Sequence, residues 1–591
     1  MRQINIDLKT GEIQEKPWDQ KEYGFFGGRG IVAKYLTDHV DPTIDPLSSD
    51  NPLLLTTGYF TGTKVSSANR LSFGAKSPLT GGIKESNAGG TMARRLTDHQ
   101  IKLIVFENQS DSWVYLYIDK EGQLHFEDAT PYLGVNCYDF DKMMREKYND
   151  RISVACIGMA GEHLGLISSI MITELRTGFA CRACARGGMG AVMGSKKLKA
   201  IIVEHSPHPY IVEPPAEMAD EFNELNEKIT SFIQANPLTG KTMPVFGSAA
   251  GTDTTGPMGA MPYKNFSGEM TPGWERIGTK QLHENIVSQG GHHTIPCSPG
   301  CVVRCSNELY DRDGNYLTAG MEYETLCLNG PNLDIFDTDV IAKIDGMCDN
   351  YGMDTIDIGT ALGVMMDKGV LEWGDAEGCI NLLEHMFDED SEYGPILKNG
   401  CAAMADYLGV PNDEIQRVPV SKRQAFAAYD PRAIRGYGLT WERGPMGADH
   451  TSGSAPTYLT NLTPVQQADQ ALATNCSCDC FMCLFPWAAV QYNPEGFKTI
   501  TRMAGILAGY EEGPGPEMIA ENGNAILAME YAFNEKCGYK HEDDYFYGGR
   551  KNYMYKVPNV ATGATYTSIH DKPPAQVKRT QVKMDIEEED S

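Results

Sequence analysis

Short apolar or alternating runs bounded by turn residues fill the first third of the chain. "LLLTTGYF", "QIKLIVFE", "SWVYLYID", "RISVACIGMAG" and "LKAIIVEH" each read as a strand, and the polar N-terminus "MRQINIDLKTGEIQEKPWDQ" is strand-like as well. Four prolines in "SPHPYIVEPP" (206–215) break that pattern, and helix-favouring sequence follows in "AEMADEFNELNEKITSFIQAN". Helical periodicity then dominates to about residue 550, as in "DTDVIAKIDGMCDNYG", "GCINLLEHMF" and "FKTITRMAGILAGY", with a second break near 418 in "QRVPVSKRQAFAAYDPRAIRG". The end, "KMDIEEEDS", is an acidic tail expected to fray. The expected fold class is therefore α+β, with a β-rich unit over 1–210 and two mainly α-helical units over 211–417 and 418–591. No repeat of solenoid length is visible.

A chain of 591 residues exceeds what one core fills, which agrees with several units. Apolar residues make up 41% and charged residues 22%, ordinary values for a soluble globular protein. A net charge of −28 argues against nucleic acid and anionic membrane surfaces as partners, because both would be repelled, and suits a basic partner. The N-terminus lacks the apolar core of a signal peptide, and no apolar run is long enough to span a bilayer. Sixteen cysteines without an export signal then imply a reducing compartment, with the cytoplasm expected.

Three of those thiols stand at four-residue intervals in "TIPCSPGCVVRCSNE": Cys297, Cys301 and Cys305. Pro299 and Gly300 keep the segment from being a plain helix, so a loop can aim the sulfurs at one point. "ATNCSCDCFMCLFPW" offers Cys476, Cys478, Cys480 and Cys483 as sources of a fourth ligand. Three local thiolates and a remote one suit a [4Fe–4S] cluster; a four-sulfur zinc site competes, although its usual C-x2-C knuckle is missing from the first segment, and inert buried thiols are the third reading. Glycine and arginine also cluster, in "GGRG" (27–30), "NRLSFGAKSPLTGGIKESNAGG" (69–90) and "CRACARGGMGAVMGSKKLKA" (181–200). Such segments bring backbone N–H groups and the guanidiniums of Arg70, Arg182 and Arg186 to a phosphate, or else are simply turns. "GGMGAVMG" lacks the setting of a nicotinamide fingerprint.

In order and spacing, "RLSFGAKSPLTGGIKESNAGG", "RGGMGAVMGSKKLKAI", "MEYETL", "GMDTIDIG" and "AYDPRAIRGYGLTWERGPMGADH" resemble the tungsten-dependent aldehyde:ferredoxin oxidoreductase family. The resemblance covers most of the chain and implies a β-rich base carrying two metallopterins, covered by two helical domains. It implies a tungsten (or molybdenum) bis-metallopterin, one [4Fe–4S] cluster, and a magnesium ion bridging the pterin phosphates at the carbonyl of Arg70. Asn87, Ala88 and Gly89 match a contact to that phosphate region, and Arg182 with Ala183, followed by Arg186, matches a second. Asp354 and Asp357 resemble a first pterin loop, and Asp479 a second, which continues to the fourth cluster cysteine. Cys483 fits that place, with Cys480 the alternate. The chain departs from the family in reading C-x3-C-x3-C where well-known members have C-x2-C-x3-C, and in lacking the glycine of the second loop, which marks a divergent branch. Cys476 and Cys478 have no role in the resemblance and read as buried thiols.

The resemblance also implies an acid and a histidine near the metal: Glu324 or its neighbour Glu322 in "MEYETL", and His450 in "GADH". Oxidising an aldehyde needs a proton acceptor and a group that polarises the carbonyl, tasks suited to Glu and His. Tyr429 and Asp430 in "AYDPR" read as structural, since a proline follows. With no flavin or nicotinamide motif, the electrons would pass from the cluster to a ferredoxin or a small iron–sulfur subunit. Three alternatives stand beside this one: a zinc-stabilised enzyme, a non-catalytic electron-transfer scaffold, and the catalytic subunit of a low-potential reductase acting on an aromatic or carboxylic substrate. Substrate identity, metal and homo-oligomerisation stay open, and residues 249–270 are expected to line the substrate channel.

Overall fold

The computed structural model describes residues 1–268, 271–410, 418–453 and 464–539; the acidic tail lies outside the described residues, as do 411–417 beside the expected break near 418. Twelve strands occupy the first 203 residues. β1 (Arg2–Asp7), β2 (Glu12–Pro17), β3 (Leu53–Thr57), β4 (Leu71–Lys76), β5 (Ile83–Ala88) and β6 (Ile101–Glu107) form one sheet in the order β2-β1-β6-β3-β4-β5. β7 (Val114–Ile118), β8 (Leu124–Asp128), β9 (Ser153–Cys156), β10 (Ile170–Thr173), β11 (Ala180–Cys184) and β12 (Leu198–Val203) form a second, ordered β11-β10-β9-β12-β7-β8. In each sheet one neighbouring pair is parallel, β1 with β6 and β7 with β12, while the others are antiparallel.

Strand alternation explains why the runs are apolar nearly throughout. Leu53 and Leu55 face the second sheet and share a core with Ile201, Val203 and Ile172, whereas Leu54, Leu103 and Val105 point the other way. On that outer face they meet Ile31, Val32 and Leu36 of the Gly28–His39 helix and the helices Pro464–Phe481, Gly496–Leu507 and Met518–Lys536. The second sheet is covered on its far side by Phe140 and Met144 of the Cys137–Lys147 helix. A third core, in the middle of the chain, joins the helices Tyr323–Leu328, Thr338–Tyr351 and Thr355–Asp367 through Leu326, Ile344 and Leu362.

Two of the expected loop clusters are regular structure. "RLSFGAKSPLTGGIKESNAGG" is the β4–β5 hairpin, so Asn87 and Ala88 sit on a strand, and Arg182 and Ala183 lie on β11. "GGRG" opens a helix rather than cradling an anion: Arg29 is fully buried and its guanidinium pairs with Glu530 at 2.7 Å and Asp479 at 3.2 Å. A Cβ at Gly27 would collide with the Tyr59 nitrogen and the Cys480 carbonyl, so only glycine lets these segments cross there. Among the described residues no helix is long and apolar enough to cross a membrane.

Candidate active site

The thiol segment spans the gap between β13 (His292–Ile295) and β14 (Ser306–Tyr310), which pair with β15 (Tyr316–Ala319) in a small antiparallel sheet. Cys297 follows the first strand and Cys305 precedes the second, while positive φ angles at Gly300 (79°) and Arg304 (55°) turn the loop back on itself. The Ser66–Asn69 turn staples it. The Ser67 hydroxyl donates to Cys301 Sγ at 3.1 Å, Ser66 Oγ accepts from Val302 N at 3.1 Å, and Asn69 Nδ2 donates to the Pro299 carbonyl at 2.9 Å. The same turn accepts the N–H of Cys483 on the Ser67 carbonyl at 3.1 Å, which brings that cysteine, just past the end of the Pro464–Phe481 helix, up to the other three. Gly89 closes the wall: a Cβ there would stand 2.9 Å from the Cys297 carbonyl and 3.3 Å from its sulfur.

Electrostatics shows the same grouping. A hydrogen bond between Cys297 and Cys301 raises the first thiol and lowers the second, and burial raises Cys305 and Cys483. Burial would lower Arg70, but Cys483 and Cys297 hold it above its ordinary value, and Cys181, Glu174 and Cys297 do the same for Arg182. Cys480 is elsewhere. Its thiol, pushed up to about 12 by burial, meets the N–H groups of Gly27 and Gly30 at the start of a helix. Cys476 lies beside Arg29, and Cys478 donates to the Met482 carbonyl at 3.5 Å. Among the described residues no three His, Cys, Asp or Glu side chains converge as they would on a single ion.

The remaining sequence candidates divide into two groups. Arg70 Nε donates to Asn87 Oδ1, and the Arg70 carbonyl accepts from Gly58 N at 3.2 Å. Arg182 donates to Ser306 Oγ through one amino group and lies against Gly320. Arg186 is a tie rather than an open donor: it pairs with Asp354 at 3.1 Å and Asp357 at 3.6 Å and donates to the carbonyls of Ala448 and Ala425, each at 2.5 Å. Asp354 caps the Thr355–Asp367 helix through Ile356 N at 3.0 Å, and Asp357 accepts from Cys401 N at 3.2 Å and Ala425 N at 3.3 Å. Both carboxylates are therefore satisfied largely within the chain. Asp479 is held by Arg29.

The two glutamates point apart. Glu322, at the start of the Tyr323–Leu328 helix, accepts from the Ser248 hydroxyl and faces Arg182, while burial raises its carboxyl. Glu324 Oε1 meets His450 Nε2 at 3.0 Å. The loop carrying His450 is clamped by Lys84 of β5, 2.5 Å from Asp449, and by the Arg186 bond to Ala448. Against burial, Lys84 and Arg186 hold the Asp449 carboxyl well below the usual range. Tyr429, expected to be structural, faces Glu324 and brings its ring to 6.0 Å from that of His450. Asp430 is structural, paired with Arg432 at 2.5 Å. Only the neighbouring proline was legible around Tyr429; nothing in the sequence placed it beside Glu324.

The residues fit the cofactors that the resemblance implies. Four thiols flanked by two guanidiniums suit a cluster, and Glu85 Oε1 and His450 Nδ1 are buried polar atoms without a hydrogen-bond partner among the described residues.

The family model for the N-terminal domain of aldehyde ferredoxin oxidoreductase matches residues 3–205, and the model for domains 2 and 3 matches 224–549. The tungsten-containing aldehyde ferredoxin oxidoreductase of Pyrococcus furiosus is 31% identical over 466 residues, 76% of this chain and 73% of that protein. The aliphatic sulfonate oxidoreductase WOR-like subunit of the same organism is 26% identical over 502 residues, with 76% and 75% covered. In fold the chain is similar to the active-site complex BamBC of benzoyl coenzyme A reductase in complex with 1,5-dienoyl-CoA, with a TM-score of 0.77, 20% identity, and 95% and 92% of the two chains covered. Matched over nearly its whole length, the chain belongs to the aldehyde ferredoxin oxidoreductase family and is an oxidoreductase.

Proposed function

We propose that this chain oxidises aldehydes to carboxylic acids at a tungsten or molybdenum bis-pterin centre, with a [4Fe–4S] cluster on Cys297, Cys301, Cys305 and Cys483 and a ferredoxin-type electron acceptor. Family membership supports the reaction class, and the relatives' names support tungsten. The Glu324–His450 contact at 3.0 Å carries the assignment of the catalytic groups. Arg70, Asn87, Ala88, Gly89, Arg182 and Ala183 would face the pterin phosphates and their magnesium, with Arg186 fixing the first pterin loop, Asp354 and Asp357, and Asp479 in the second. When bound, the metallopterin would take the substrate's two electrons and the cluster would pass them on singly.

The chain's own part is proton handling and positioning. With His450 Nε2–H donated to Glu324, the neutral ring keeps its lone pair on Nδ1, the atom without a partner among the described residues. Nδ1 can therefore accept a proton from the reacting centre, while Glu324 orients the ring and stabilises the charge formed on it. Tyr429 packs beside Glu324. The reductase alternative has only the likeness in fold behind it.

Metal analysis of anaerobically purified protein, with aldehyde-dependent reduction of a viologen dye, tests the reading. Tungsten or molybdenum with about four irons per chain and dye reduction are expected; zinc without iron, or no turnover with any aldehyde in fully loaded protein, would overturn it.

A further inference from the structure

Aldehyde oxidation, RCHO + H2O → RCOO⁻ + 3H⁺ + 2e⁻, releases protons as well as electrons. Electrons can leave through the cluster to a one-electron acceptor of the ferredoxin class, but protons need polar groups leading out of the enclosed site. His450 can take the first proton; it cannot by itself deliver any to solvent.

Beside Arg182 lies a buried cluster of polar side chains that the catalytic assignment does not use. Asp345 and Asp349 stand one turn apart on the Thr338–Tyr351 helix, 3% and 6% exposed, so their side chains lie on one face. Asp345 accepts from the Thr318 hydroxyl of β15 at 2.8 Å and faces Glu322 and Arg182. Asp349 accepts from the Tyr138 hydroxyl at 3.4 Å and faces Cys137, Cys181 and Arg182. Tyr316 lies against Cys181, Asp349 and Glu174, and its ring stands 6.0 Å from that of Tyr138.

Three polar atoms of this cluster are buried without a partner among the described residues: Arg182 Nε, Glu174 Oε2 and the Tyr316 hydroxyl. Arg182 and Glu174 are 8% and 2% exposed, so bulk water does not reach them freely. Unpaired polar atoms of both signs around a group of carboxyls are what a short run of internal water requires. At the outer end Glu174 accepts the backbone N–H groups of Arg176 and Thr177, and the half-exposed Arg176 side chain pairs with Glu308 at 2.5 Å.

We propose that Asp345 and Asp349, linked by internal water to Tyr138, Tyr316 and Glu174, carry protons between the space beside Arg182 and the surface at Arg176. Burial raises the Asp345 carboxyl to about 7 and raises that of Asp349 as well, so the pair can hold and release a proton near neutrality. The step moves protons only; no bond to carbon changes. The proposal rests on aldehyde oxidation as the reaction.

The test uses the loaded holoenzyme with a viologen acceptor. Asp345→Asn and Asp349→Asn are expected to lower turnover per loaded chain by about 10-fold or more and to raise the solvent isotope effect, with Asp345→Glu restoring both. A second readout needs no substrate: the infrared pH titration of the purified chain should show a protonated carboxyl band near neutral pH that Asp345→Asn removes. Turnover and isotope effect unchanged in both Asn variants would overturn the relay, as would a titration lacking that band. A wild type that shows the band yet oxidises no aldehyde overturns the reaction assignment instead.

Discussion

His450 is useful because Glu324 fixes which of its nitrogens is free, so the two should fail together and without loss of cofactor. His450→Asn and Glu324→Gln are expected to keep metal and iron while kcat falls by roughly 10² or more, and the double variant should be little worse than either single one. Additive losses would show independent roles. Glu322→Gln leaves the His450 contact intact and should spare proton transfer to His450, since its carboxylate faces Ser248 and Arg182. The sequence nominated both glutamates and could not choose, because two residues apart at a helix start they differ only in direction. A second residue-scale effect concerns Lys102, buried with Nζ donating to the Gly58 carbonyl at 2.6 Å. Burial lowers its ammonium to about 7, below the unfolded value of 10.5, so the unfolded chain binds more protons between those pH values. Its contribution to stability therefore rises with pH from about 7 to 10.5, and Lys102→Met should flatten the rise of the unfolding midpoint over that window.

At the scale of elements, the end of the Pro464–Phe481 helix decides what each cysteine can do. Cys480 is still helical and meets the Gly28–His39 helix, whereas Cys483, past the helix end, is tied to the Ser67 carbonyl beside the other thiols. Cys483→Ala and Cys305→Ala should each lose most of the iron and the reducible EPR signal, and Cys480→Ala should retain both; the reverse result for the 480 and 483 pair would move the fourth ligand. The spacing "DCFMC" could not settle this, since it does not say where the helix stops. The Arg29–Glu530 pair, 0% exposed on both sides, joins the Gly28–His39 helix to the Met518–Lys536 helix. Glu530→Ala leaves the buried guanidinium with only Asp479 as a charged partner and should cost up to about 3–5 kcal/mol, read as a lower unfolding midpoint. By sequence Arg29 sits among glycines that suit anion binding, and its partner lies 501 residues away in the chain.

For the whole molecule, a net charge of −28 sets the terms on which electrons leave. Common ferredoxins are acidic, and the exposed cations nearest in sequence to the thiol loop and its stapling turn are Arg304 and Lys64. Long-range repulsion, screened over about 8 Å at physiological ionic strength, should therefore slow direct docking. An added acidic ferredoxin is expected to be reduced slowly and faster as salt is raised, while a viologen is reduced readily. Rapid ferredoxin reduction that slows with salt would instead show a complementary patch and count against a bound iron–sulfur adaptor subunit.

Sequence alone determined β3, β6, β7, β9 and β12, a strand-like N-terminus and the helical character of the chain that follows, because burial on both faces writes continuous apolar runs and burial on one face writes a helical period. It also nominated the thiols, glutamates and histidine, whose side chains have few other uses in such blocks. It could not say that Asn87 and Arg182 stand on strands, that Arg186 is consumed in holding the His450 loop, or that Tyr429 touches Glu324. Those outcomes depend on which distant segments meet. A hydrogen bond between residues hundreds of positions apart leaves no periodic trace in the chain, so only the packed structure decides it.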